Sequence, residues 1–122
     1  MKLSDLARQL PDEVWAVFEP VLPLVVWCGN GRPPAGNREC LHGLLYVLVS
    51  GVGWDLVPSC FPCGKTIKGR LKQWLQQGSF RMAWQQLAEK YERLRGINWD
   101  KVLLDGAKHK AQKGGLRRDR VL

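Results

Sequence analysis

The side chains with the types and spacing for chemistry are a cysteine pair, an aspartate and a run of cations. Cys60-Phe61-Pro62-Cys63 has the C-x-x-C spacing of a zinc half-site or a dithiol redox pair. A structural zinc would need a second half-site. Cys28 and Cys40 flank a Gly/Pro-rich loop, and His42 and His109 stand at no zinc-ligand spacing, so free thiols are expected and a zinc site is the alternative. Asp105 closes the short apolar run Trp99-Asp100-Lys101-Val102-Leu103-Leu104-Asp105 and precedes Gly106. On its own Asp-Gly is an ordinary turn. Asp100 stands at the start of the run. The segment 65–75 carries Lys65, Thr66, Lys68, Arg70 and Lys72 without an acid, a composition suited to phosphate oxygens or to a solvated helix face.

Helices must position most of these groups. A short helical stretch, 3–10, is expected with Ser4 as its cap. Pro11-Asp12-Glu13 then opens a helix over 12–22 with its acids at the positive dipole end. Residues 27–36 read as a Gly/Pro-punctuated basic loop containing Arg32. Asn37 is the expected N-cap of the most apolar helix, 37–50, which Gly51 ends. The spacing predicts further helices over 65–77 and 79–95, the latter capped by Ser79, and a strand over 99–105. Trp15, Phe18, Leu44, Leu45, Leu48, Leu71 and Trp74 are the expected core. The tail 108–122 is too polar to bury itself.

Nineteen Lys and Arg against eleven Asp and Glu give a net charge of +8, so the partner is expected to be a polyanion. Hydrophobic residues make up 45% of the chain, enough for a globular core. No apolar run approaches the roughly 18 residues of a membrane span, and the N-terminus lacks a secretory h-region, so a cytoplasmic protein with reduced thiols is expected. In the segment 65–75, Ile67, Leu71, Trp74 and Leu75 share one helical face and the cations occupy the others. A helix with an apolar back and a basic front suits the major groove, and it follows a core helix and a turn in helix-turn-helix order.

These residues, in this order, resemble the N-terminal part of DDE-class transposases of the insertion-sequence five family. Leu10, Asp12, Glu13 and Trp15, then Glu19 to Pro23, are similar to its L-x-D-E-x-W and E-P-x-L-P. The Gly-Arg-Pro-Pro at 31–34, Arg38 to Leu48, Gly51 to Pro58 and Thr66 to Trp74 resemble its successive motifs. Leu104-Asp105-Gly106, with Lys108, Lys110 and Gly114-Gly115, is similar to the stretch around its first catalytic aspartate. The resemblance covers residues 10 to 115.

It implies an all-α, helix-turn-helix-like DNA-binding domain at 1–97, followed at 98–122 by one residual β-strand and basic tail of a truncated ribonuclease-H-like domain. In the complete family enzyme three carboxylates hold two Mg²⁺ ions, and Asp105 matches the first of them. Its two partners have no counterpart in these residues, so the chain alone is expected to need no cofactor and to leave DNA uncut. The implied partner is double-stranded DNA at transposon terminal inverted repeats, contacted through Lys65, Thr66, Lys68, Arg70 and Lys72, in the nucleoid rather than at a membrane. A full-length or second-frame transposase is the implied protein partner. A regulator or inhibitor of transposition, or a relic decayed from a transposase, fits the same residues.

Overall fold

The computed structural model describes residues 3–25, 29, 31 and 33–105, with Leu3, Ser4, Leu6 and Asp105 described by backbone alone. Cys28, Arg32, Gly106, His109 and the tail 108–122 lie outside the described residues, as do the expectations resting on them. Six α-helices are described: α1 (Leu3–Arg8), α2 (Asp12–Phe18), α3 (Asn37–Ser50), α4 (Gly64–Leu75), α5 (Gly78–Lys90) and α6 (Trp99–Asp105). Short 3₁₀ turns follow α2, precede α4 and follow α5. No strand occurs among the described residues, and no described helix is long and apolar enough to cross a membrane.

α3 forms the centre because its apolar stripe is wide. Cys40, Leu41, Leu44, Leu45 and Val47 are wholly buried. α1 and α4 pack on α3, and α5 joins α2 to α4. Under α4 and α5 the core is aromatic. Trp74 stacks on Phe80 at 5.5 Å, Phe80 meets Phe18 and Trp84, and Trp84 meets Trp99 edge-on at 5.1 Å. Every expected core residue is buried except Trp15, which is half-buried with the Arg38 guanidinium 6.0 Å above its ring.

Specific bonds fix the arrangement. Arg38 donates to the Leu10 carbonyl (3.0 Å) and to Asp12 (2.6 Å), tying α3 to the start of α2. The His42 ring donates Nε2–H to the Ala7 carbonyl, holding α1. Gly43 and Gly64 permit close approach: a Cβ at 43 would press on Ile67 Cδ1 at 2.5 Å, and one at 64 would collide with the Trp54 carbonyl.

Several boundaries differ from expectation. α2 gives way after Phe18 to a 3₁₀ turn containing Pro20, whose missing N–H and ring do not fit an α-helix interior. α3 is capped by Gly36; Asn37 instead donates its side-chain amide to the Pro23 carbonyl at 2.6 Å. α5 starts at Gly78, so Ser79 lies inside it, and it ends at Lys90. There Arg95 donates to the carbonyls of Ala88 and Glu89, and Trp84 Nε1 donates to Leu94 O, which folds residues 91–95 back on the helix.

The largest correction concerns the expected strand. Residues 99–105 form α6 instead. The Asn98 side-chain oxygen accepts the backbone N–H of Asp100 and Lys101, an N-cap that starts a helix. At helical spacing Trp99, Val102 and Leu103 then share a face, and Val102 is buried in the core. α6 is anchored, with Trp54 Nε1 donating to the Val102 carbonyl at 2.9 Å.

Candidate nucleic-acid interface

α4 buries Ile67, Leu71 and Trp74 and leaves Lys65, Thr66, Gly69, Lys72 and Gln73 exposed, with Lys68 half-buried. At 100° per residue, Lys68, Lys72 and Lys65 fall within about 60° of arc. Gln76, Gly69, Gln73 and Thr66 occupy roughly the next 80°. The exposed surface of the helix therefore has a cationic flank and a neutral, hydrogen-bonding flank. Its wider setting has the same sign: no acidic residue lies between Asp55 and Glu89, while Lys65, Lys68, Arg70, Lys72 and Arg81 do. No carboxylate falls at i±3 or i±4 from these lysines to pair with them along the helix; the acid preceding the stretch, Asp55, lies in the 3₁₀ turn that packs on α4.

The structure brings four of the five sequence-predicted contact residues to this surface and sets the fifth apart. Arg70 is half-buried and turned inward. Its guanidinium donates to Asn37 Oδ1 at 2.8 Å and to the Ala35 carbonyl at 2.9 Å. Arg70 thus fastens the end of the Pro33–Gly36 segment against α4. A groove of about 860 Å³ lies between that segment, Pro58, Phe61 and the Thr66–Arg70 edge of the helix. Gln73 and Gln76, on the neutral flank, were not singled out from sequence. The available signal was their helical offset from Thr66 and Gly69.

At the start of α4, Cys63 occupies the N-cap position and its Sγ lies 3.1 Å from the Thr66 hydroxyl. That hydroxyl, the backbone N–H groups of the first turn and Lys65 favour the thiolate and pull the Cys63 pKa below its ordinary value. Cys60 is exposed, and both are free. Cys40, a free thiol buried in α3, is shifted upward by loss of hydration. Among the described residues no group of three or more His, Cys, Asp or Glu side chains converges on a metal position. Asp105 is the last residue of α6, and Asp100 is exposed in its first turn.

α3 precedes α4 as a helix-turn-helix order requires. The connection from Gly51 to Cys63, with its own 3₁₀ turn, is longer than the three- or four-residue turn usual for that motif.

A family model described as "Putative transposase of IS4/5 family" matches residues 10–84, the stretch from the start of α2 into α5 that contains this interface. The chain is 30% identical over 113 residues to the "Insertion element IS402 uncharacterized 16.2 kDa protein" of Burkholderia cepacia, an alignment covering 88% of this chain and 77% of that protein. No solved structure matches the chain. With the order of sequence motifs, the family match and the relative in agreement, the chain belongs to the IS4/5 family of insertion-sequence transposases.

Proposed function

We propose that this chain is a DNA-binding module of an insertion-sequence transposase and that it recognises double-stranded DNA at the terminal inverted repeats of its element. The observation that carries the reading is the exposed face of α4, where Lys65, Lys68 and Lys72 line one flank of a helix whose opposite side is locked into the core. A rigidly backed helix in an acid-free stretch of sequence presents charge without paying a large ordering cost on binding, and each lysine seated on a phosphate releases condensed counterions. In this reading Thr66 also contacts the DNA, whereas Arg70 acts by holding Ala35 and Asn37 beside the helix. α3 and α4 serve as the helix-turn-helix-like pair, and a full-length or second-frame transposase is the protein partner.

No centre holding two Mg²⁺ ions is assigned among the described residues, where no group of three metal-ligating side chains converges. Asp105 is proposed as a metal ligand only within a complete catalytic domain, and no catalytic step is assigned to this chain.

The test is a titration of inverted-repeat duplex at several salt concentrations. Replacing Lys65, Lys68 and Lys72 together with Ala should lower the slope of log K against log salt by about 0.9 per lost phosphate contact, or roughly 2.7 in all. An unchanged slope in a folded triple variant places the DNA-contacting surface elsewhere.

A further inference from the structure

Among the described residues nothing requires position 69 to be glycine. Gly43 and Gly64 are each required by a neighbour, as the close approaches to Ile67 and to the Trp54 carbonyl show. Gly69 lies inside α4, exposed, and a Cβ built on it would meet nothing within 4 Å. It is not among the positive-φ glycines. A glycine inside a helix weakens it relative to alanine, so the fold alone favours a side chain here. The position is also the middle of the surface already described, between Lys65, Lys68, Lys72 and Gln76 on one side and Gln73 and Thr66 on the other.

Resting on the DNA-binding reading, we propose that Gly69 is the point of closest approach between α4 and the major groove of duplex DNA, and that Gln73 reads a base edge there. A helix with its side chains is about 10–12 Å across, and the major groove is about 12 Å wide. That fit leaves little slack, so removing a side chain at the apex lets the helix sit deeper. With the apex lowered, lysines on one flank reach the phosphates of one strand. Those contacts set position and carry no sequence information. The carboxamide of Gln73 presents a donor and an acceptor together, the pattern that matches N7 and the N6 amino group of adenine. Gln73 and Thr66 are exposed on this flank, and its Thr66 edge borders the open groove beside Pro58 and Phe61.

The experiment uses the full chain and a duplex selected by it from a randomised library, with a scrambled duplex of equal composition as control. Affinities for both duplexes, at several salt concentrations, and thermal midpoints are measured for the parent, Gly69→Ala and Gln73→Ala. Gly69→Ala should raise Tm by about 2–4 °C while weakening binding to the selected duplex by about tenfold or more. Gln73→Ala should lose about tenfold on the selected duplex, with the scrambled-duplex affinity and the salt slope unchanged. Parent-like binding by Gly69→Ala, a lowered Tm for that variant, or parent-like sequence preference in Gln73→Ala each overturns the inference while leaving DNA binding itself intact. A parent chain with no salt-dependent affinity for any duplex overturns both the inference and the function beneath it.

Discussion

Cys63 and Cys40 show how far placement separates residues of one type. The Cys63 thiolate accepts the Thr66 hydroxyl and sits at the start of a helix, so its charged form is favoured. Cys40 is wholly buried, and loss of hydration holds its thiol protonated. Because the folded Cys63 pKa is depressed, its thiolate persists to a lower pH than an ordinary thiol's and is lost as pH falls through the folded value. Alkylation with iodoacetamide, followed by peptide mass mapping across pH, should label Cys63 at lower pH than an ordinary thiol, and Cys40 only on unfolding. Thr66→Val should move the Cys63 profile to higher pH; an unmoved profile would mean that the hydroxyl is not the main cause. Arg70 makes the same point among the cations. In sequence it is one more positive residue in a basic run, and only the folded positions of Ala35 and Asn37 reveal that it bonds inward.

At the scale of elements, α3 and α4 could be read from period alone, because each combines a stripe of apolar residues with a distinct polar face. The strand expected over 99–105 shows where that reading fails. Trp99, Val102 and Leu103 satisfy a short apolar strand and one face of a helix equally, and a run this short does not discriminate. The Asn98 cap decides the matter locally, and the aromatic cluster decides it in the tertiary structure. The α3–α4 corner depended on something no periodicity carries: the need for Gly64 to meet the Trp54 carbonyl. Replacing Gly64 with Ala should therefore destabilise the protein by about 1–3 kcal/mol, since rigid backbone stands in the way. Urea denaturation measures this, and an unchanged midpoint would show that the corner yields freely.

In the molecule as a whole, a single apolar core carries a surface of uneven charge. The core was legible from sequence because Leu44, Leu45, Leu48, Leu71 and Trp74 recur at helical spacing. The inward turn of Arg70 was not, because it depends on contacts between distant segments. Leu45 is wholly buried in α3, so Leu45→Ala should cost about 2–5 kcal/mol in one cooperative transition followed by tryptophan fluorescence. A loss below about 0.5 kcal/mol would be a surface value and would contradict its central place. Trp54 has a consequence of another kind. Its carbonyl abuts Gly64, the first residue of α4, and its indole nitrogen grips the Val102 carbonyl in α6. One residue thus acts as a dowel through two helices far apart in sequence. The heading of α6 relative to α4 is set by Trp54, as a rudder's is by its post. A duplex lying along α4, as proposed, would consequently meet α6 on a fixed compass bearing.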